Sequence, residues 1–130
     1  MLQNKDILQI PLENYIKLNT LIIIWCTNSE SHINAIKNDF VPKWNLKLLT
    51  TWHWIKVDLN GETFCSFKDN KKPYEKMFIA THKDNNNLQH EVPKDLLIFS
   101  NPSSIHSHKP PLIGNNYNIY LNYNFLLTFF

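Results

Sequence analysis

The feature that most constrains this chain is a continuous apolar run, Leu-Ile-Ile-Ile-Trp-Cys at positions 21–26, flanked by Thr20 and Thr27. Six residues are too few for a good helix and far too few to span a bilayer. A short, Ile-rich run with no polar alternation reads as a strand buried on both faces, the kind found in parallel sheets. Asn28 and Ser29 then punctuate the chain. From Ser31 to Phe40, apolar residues at Ile33, Ile36, Phe40 and Val41 recur with three-four spacing. This predicts an amphipathic helix, stopped by Pro42.

Leu46 to Val57 is rich in Thr, Trp and Ile and predicts a second strand. The strand-helix-strand order from Thr20 to Val57 is a βαβ unit and points to the α/β class. Elsewhere, one or two helical turns are expected from Asp6 to Pro11. Short strands are expected at Lys76 to Thr81 and Leu96 to Ser100. Polar loops are expected at Lys68 to Pro73, Asp84 to Gln89 and Ser103 to Pro111. With 130 residues there is room for one domain, read as 1–113, followed by a divergent apolar and Asn-rich tail, 114–130. The tail has no charge and no clear period. It reads either as an edge strand pair or as sequence foreign to the fold, and the second reading is preferred.

Composition narrows the function. Hydrophobic residues make up 43%, so a packed core is expected, and the formal net charge of +2 excludes a strongly basic nucleic-acid arm. All 13 basic residues are Lys. Arg, the usual bidentate reader of phosphate and guanine, is missing. Two cysteines, Cys26 and Cys65, do not make a disulfide framework, and a reducing compartment follows as the expectation. With only Gly61 and Gly114 there is no glycine-rich phosphate loop, and no Cys/His spacing matches a zinc site. His106 and His108 flank Ser107 without an obvious third metal ligand.

Three clusters remain. Thr27 and Asn28 stand at the carboxyl end of the buried strand, where open α/β sheets place their ligand crevice; the alternative is an ordinary strand-to-helix cap. Trp52-His53-Trp54-Ile55-Lys56 and Lys71-Lys72-Pro73-Tyr74-Glu75 combine aromatic rings and lysines that can stack a base and balance phosphate charge. The alternative there is core packing beside a solvated loop. Ser104 to Pro111 places Lys109 between His108 and two prolines, a restrained loop suited to an anion or cofactor contact, or a plain surface turn.

Taken in order, these pieces resemble the MT-A-seventy (MT-A70) family of adenine methyltransferases, in its methyltransferase-like-four branch. The matching segments are Leu8-Gln9-Ile10-Pro11, Trp25-Cys26-Thr27-Asn28, the Trp44 segment, Trp52 to Lys56, Lys71 to Glu75, and His106-Ser107-His108-Lys109-Pro110-Pro111. The resemblance implies a partial Rossmann-like methyltransferase fold, its central part only. It implies S-adenosyl-L-methionine as cofactor and adenine in small nuclear RNA or DNA as acceptor, with the nucleus, and secondarily the cytoplasm, as location and no membrane. By the same resemblance Lys109 and His108 contact the cofactor. Thr27, Asn28, Trp54, Lys56, Tyr74 and Glu75 border the substrate, with no catalytic residue and no metal. The family's Asp-Pro-Pro-Trp signature is absent from this sequence. The expectation is therefore a fragment of such an enzyme, inactive alone. The alternative is a non-catalytic nucleic-acid-binding or partner-supporting relative. An incomplete sheet of four or five strands, with the ladder of Leu21 to Trp25 open on one side, is also expected.

Overall fold

The apolar run becomes the second strand from one edge of a five-stranded mixed sheet. In this computed structural model the described residues are 3–102, Lys109 and the backbone of 124–129. In chain order the elements are α1 (Asn4–Ile7), a 3-10 turn (Leu12–Asn14), β1 (Thr20–Cys26) and α2 (Glu30–Ala35). A π turn (Ile36–Phe40), α3 (Val41–Lys43), β2 (Leu46–Lys56) and β3 (Tyr74–His82) follow, then α4 (Leu88–Glu91), β4 (Leu97–Ser100) and β5 (Asn124–Phe129). The strand order is β4-β2-β3-β1-β5.

The α/β class holds, and all seven residues of β1 are buried. Full burial of each large apolar side chain contributes roughly 1.5–3 kcal/mol, which makes this strand the anchor of the fold. One of its two neighbours departs from the parallel arrangement expected, while β5 on the other side runs parallel to it. β3 lies between β1 and β2 and runs antiparallel to both. The β1-helix-β2 crossover therefore joins parallel strands that do not touch. A fully apolar strand reports that both faces are covered, not which way its neighbours run.

Each face of the sheet carries its own core. Ile22, Ile24, Cys26, Phe78 and Ala80 pack with Ala35, Ile36, Phe40 and Trp44 from the helical side. Leu21, Ile23, Trp25, Trp52, Trp54, Met77 and Ile79 form the opposite cluster with Leu88, Val92 and Ile98. One irregularity in β2 makes this division possible. Leu46 and Leu48 pack on the helical side, whereas Trp52 and Trp54, also even-numbered, pack on the other. A register shift between Leu48 and Thr50 inserts Leu49 and reverses the alternation.

Three further expectations are corrected. Pro42 does not stop the helix, which continues to Lys43, and the Trp44 N–H bonds to the Phe40 carbonyl at 3.0 Å. The π turn just ahead of Pro42 absorbs its ring and missing donor. The three-Asn segment is not all surface loop. Asn85 is buried, donates to the Leu18 carbonyl at 2.8 Å and accepts from the backbone N–H groups of Asn87 and Leu88 at the start of α4. Finally, the outer ladder of β1 is not open. β5, from the tail, pairs with it in parallel from Thr20↔Asn124 to Trp25↔Phe129. An apolar strand with unpaired backbone groups is a site for strand addition, and the uncharged tail supplies a strand that can meet it.

Candidate functional site at the strand ends

β1, β2 and β4 finish, and β3 begins, at the same end of the sheet. The register pairs Cys26 with Lys76, Ile55 with Tyr74 and Lys56 with Ser100. This end gathers seven of the eight residues singled out from the sequence: Thr27, Asn28, Trp54, Lys56, Tyr74, Glu75 and Lys109. The eighth, His108, lies outside the described residues, as does His106.

Glu75 is the hub. Its Oε1 accepts from Lys56 Nζ at 2.8 Å, and its Oε2 accepts from Lys109 Nζ. Glu75 and Lys109 are both largely buried, with side-chain exposures of 14% and 13%. Burial would raise the Glu75 carboxyl, but hydrogen bonds and charge from Lys109 and Lys56 outweigh it and hold the group below its usual range. The pair stands on aromatic ground. Lys109 Nζ lies 5.7 Å from the Trp25 ring centroid and 5.8 Å from that of Trp54, and Lys56 Nζ lies 5.0 Å from Trp54. Cation–π contacts of this kind are worth about 0.5–2 kcal/mol. Trp54 is fixed in turn by its indole N–H, which donates to Ser100 Oγ at 2.7 Å.

Beside Glu75 opens a cleft of about 370 Å³, lined by Thr27, Asn28, Ser29, Lys56, Asn70 and Tyr74 among others. The Asn28 Nδ2 donates to the Tyr74 carbonyl at 2.6 Å, tying the end of β1 to the start of β3. Its Oδ1 is buried and has no hydrogen-bond partner among the described residues. A buried acceptor left unpaired is costly. Thr27 Oγ1 lies 3.3 Å from His32 Nδ1.

The other polar groups are less suited to chemistry. Cys26 faces the helical core, and burial pushes its thiol up to about 11, which removes it as a nucleophile. Among the described residues no group of three or more His, Cys, Asp or Glu could hold a metal ion. No described helix is long and apolar enough to cross a membrane. The sequence reading missed Ser29 and Asn70 as cleft residues, and polar loop positions of this kind carry no distinguishing signal. Trp25 was in view within its cluster, but its place under Lys109 depends on the mixed sheet.

The MT-A70 family model matches residues 1–120. The N(6)-adenine-specific methyltransferase METTL4 of Homo sapiens is 34% identical over 116 residues, covering 82% of this chain and 25% of its own length. The corresponding METTL4 of Mus musculus is 32% identical over 120 residues, covering 85% of this chain and 26% of its own length. A DNA N6-methyl methyltransferase of Caenorhabditis elegans is 33% identical over 111 residues, covering 83% of this chain and 29% of its own length. The chain thus spans about a quarter of the length of the curated relatives it matches.

Proposed function

The chain belongs to the MT-A70 family, and on that footing we propose that it forms the cofactor- and acceptor-facing wall of an S-adenosylmethionine-dependent adenine N(6)-methyltransferase acting on RNA or DNA. The observation that carries this reading is the Lys56–Glu75–Lys109 cluster set on Trp25 and Trp54 at the mouth of the cleft.

The residues present suit both ligands. The Lys109 ammonium is a partner for the carboxylate of S-adenosylmethionine, and the Trp25 and Trp54 rings already accommodate cations. The unpaired Asn28 Oδ1 is an acceptor for an exocyclic amine. When bound, the cofactor supplies an electrophilic methyl group. This chain's own residues bind and orient. Glu75, committed to two ammonium groups and held below its usual range, is a poor proton acceptor at neutral pH. Its role is to fix Lys56 and Lys109, while the buried indoles exclude water from that side. Rate enhancement then rests on positioning two reactants.

No Asp-Pro-Pro-Trp occurs in these 130 residues, so the role of this chain is binding, with no methyl transfer by these residues alone. A nuclear place of work goes with a nucleic-acid acceptor. The reading is tested by calorimetric titration with S-adenosylmethionine and with adenine-containing RNA and DNA oligonucleotides. Saturable binding is expected, weakened about tenfold or more in Lys109→Ala, the loss of a charge-assisted contact. Folded protein that binds neither, or a Lys109→Ala variant that binds both as before, would count against it.

A further inference from the structure

Tyr74 stands between two clefts. The cleft beside Glu75 shares Asn28, Lys72 and Tyr74 with a second one of about 520 Å³, whose other lining residues include Glu30, Asn34 and Lys76. We propose that Phe67 and Tyr74, with Lys71, Lys72 and Lys76, form a subsite for a nucleotide next to the acceptor base, so that the chain takes single-stranded rather than fully paired nucleic acid. This rests on the reading of the first cleft as an adenine site and extends it outward along the strand.

Phe67 carries the first part of the case. It is 51% exposed although large and apolar, and its ring stacks toward Tyr74 at 6.2 Å between centroids and 24° between planes. Tyr74 is backed on another side by His53 at 5.5 Å. The loop does not leave Phe67 to chance, because Lys72 Nζ donates to its carbonyl at 2.8 Å. An exposed aromatic step on a firm backing is a surface on which an unpaired base stacks. A base within a duplex cannot reach it without leaving its helix.

Charge carries the second part. Among the described residues neither Lys71 nor Lys76 forms an ion pair, and Glu30 is the one acidic residue lining the second cleft. Lys71 lines the first cleft, Lys76 the second and Lys72 both, a row of ammonium groups that suits a phosphodiester running from one cleft to the other. Lysine meets phosphate as a point charge and the chain has no Arg. The subsite therefore positions the strand without reading base edges, and tolerance of sequence at the flanking position follows.

The test is fluorescence anisotropy of the full chain with labelled oligouridine, an adenine-containing single strand, and that strand annealed to its complement. Both single strands are expected to bind, and the duplex at least about tenfold more weakly. Phe67→Ala is expected to weaken single-strand binding about fivefold or more, with Phe67→Trp restoring it. The pair Lys71→Gln and Lys76→Gln, which leaves the Lys72 bond to the Phe67 carbonyl in place, is expected to flatten the slope of log affinity against log salt by about 1.4. Circular dichroism should show unchanged folding in Phe67→Ala, since its side chain is half in solvent. Equal binding of duplex and single strand, or Phe67→Ala binding like the parent protein, would overturn the subsite. Phe67-dependent binding of oligouridine with no gain from adenine and no affinity for S-adenosylmethionine would keep it and discard the adenine reading.

Discussion

Trp25 and Trp54 meet edge to face, their centroids 5.8 Å apart and their planes at 90°, although their strands are not neighbours in the sheet. The contact passes over β3 and joins the two strand ends that frame the cleft. Both rings are at most 2% exposed. Trp54→Ala is therefore expected to cost about 3–5 kcal/mol in urea unfolding. Trp54→Phe, which keeps an aromatic ring but strands the Ser100 hydroxyl, should cost roughly 1–3 kcal/mol. A loss below that range in Trp54→Ala would mean the pair is not part of the core.

Stability should fall in two stages as the pH drops. Burial, helped by the positive charge of Lys76, holds the His53 imidazole below its usual range. Its unfolded form takes up a proton first, so stability is lost as pH falls below about 6.5. Glu75 is likewise held low, after its two lysine partners overcome the opposing effect of burial. Its contribution is intact above an ordinary carboxyl value near 4.5 and disappears as pH falls through the lower folded value. Glu75→Gln should remove the second stage and, by leaving two ammonium groups against indole with no counter-charge, cost about 1–3 kcal/mol at neutral pH. An unchanged acid limb in Glu75→Gln would disprove the assignment.

The two thiols should separate cleanly. Cys26 is buried, with its thiol pushed up to about 11, while Cys65 sits half-exposed near Lys71. A thiol reagent at pH 8 is expected to modify Cys65 promptly and Cys26 only after denaturant is added. Rapid reaction of both in the native protein would contradict the burial of β1.

The tail should matter for solubility. β5 covers the outer ladder of β1 from Thr20 to Trp25. A chain without residues 114–130 presents that apolar ladder to other molecules, and light scattering should detect oligomers where the full chain gives a smaller species. Equal size and equal stability of the two forms would show that this pairing contributes nothing.

Much of this was legible in the residues, for reasons that differ from element to element. The run at 21–26 could be read because burial on both faces leaves no polar alternation. The cluster from Trp52 to Lys56 was visible as chemistry, but not its side of the sheet, which is set by the extra residue at Leu49. A bulge has no fixed residue signature when it uses a leucine. Pro42 misled because a π turn compensates for it, and such turns depend on tertiary packing. Asn85 looked like its two Asn neighbours, and only the fold distinguishes the one that is buried. At the site, the residues carried by ordered motifs come together around Glu75. Phe67 and Lys76 stand outside those motifs: Phe67 reaches the site only through its ring contact with Tyr74, and the strand register brings Lys76 to the second cleft.

The most direct measurement exchanges this chain into a complete relative. Human METTL4, with its matched 116-residue segment replaced by this sequence, is assayed for methyl transfer to adenine in a single strand, beside the 130-residue chain alone. The exchanged protein is expected to be active and to lose about tenfold or more in Lys109→Ala, while the chain alone transfers nothing. A folded but inactive exchange, an exchange indifferent to Lys109→Ala, or methyl transfer by the chain by itself would contradict the account.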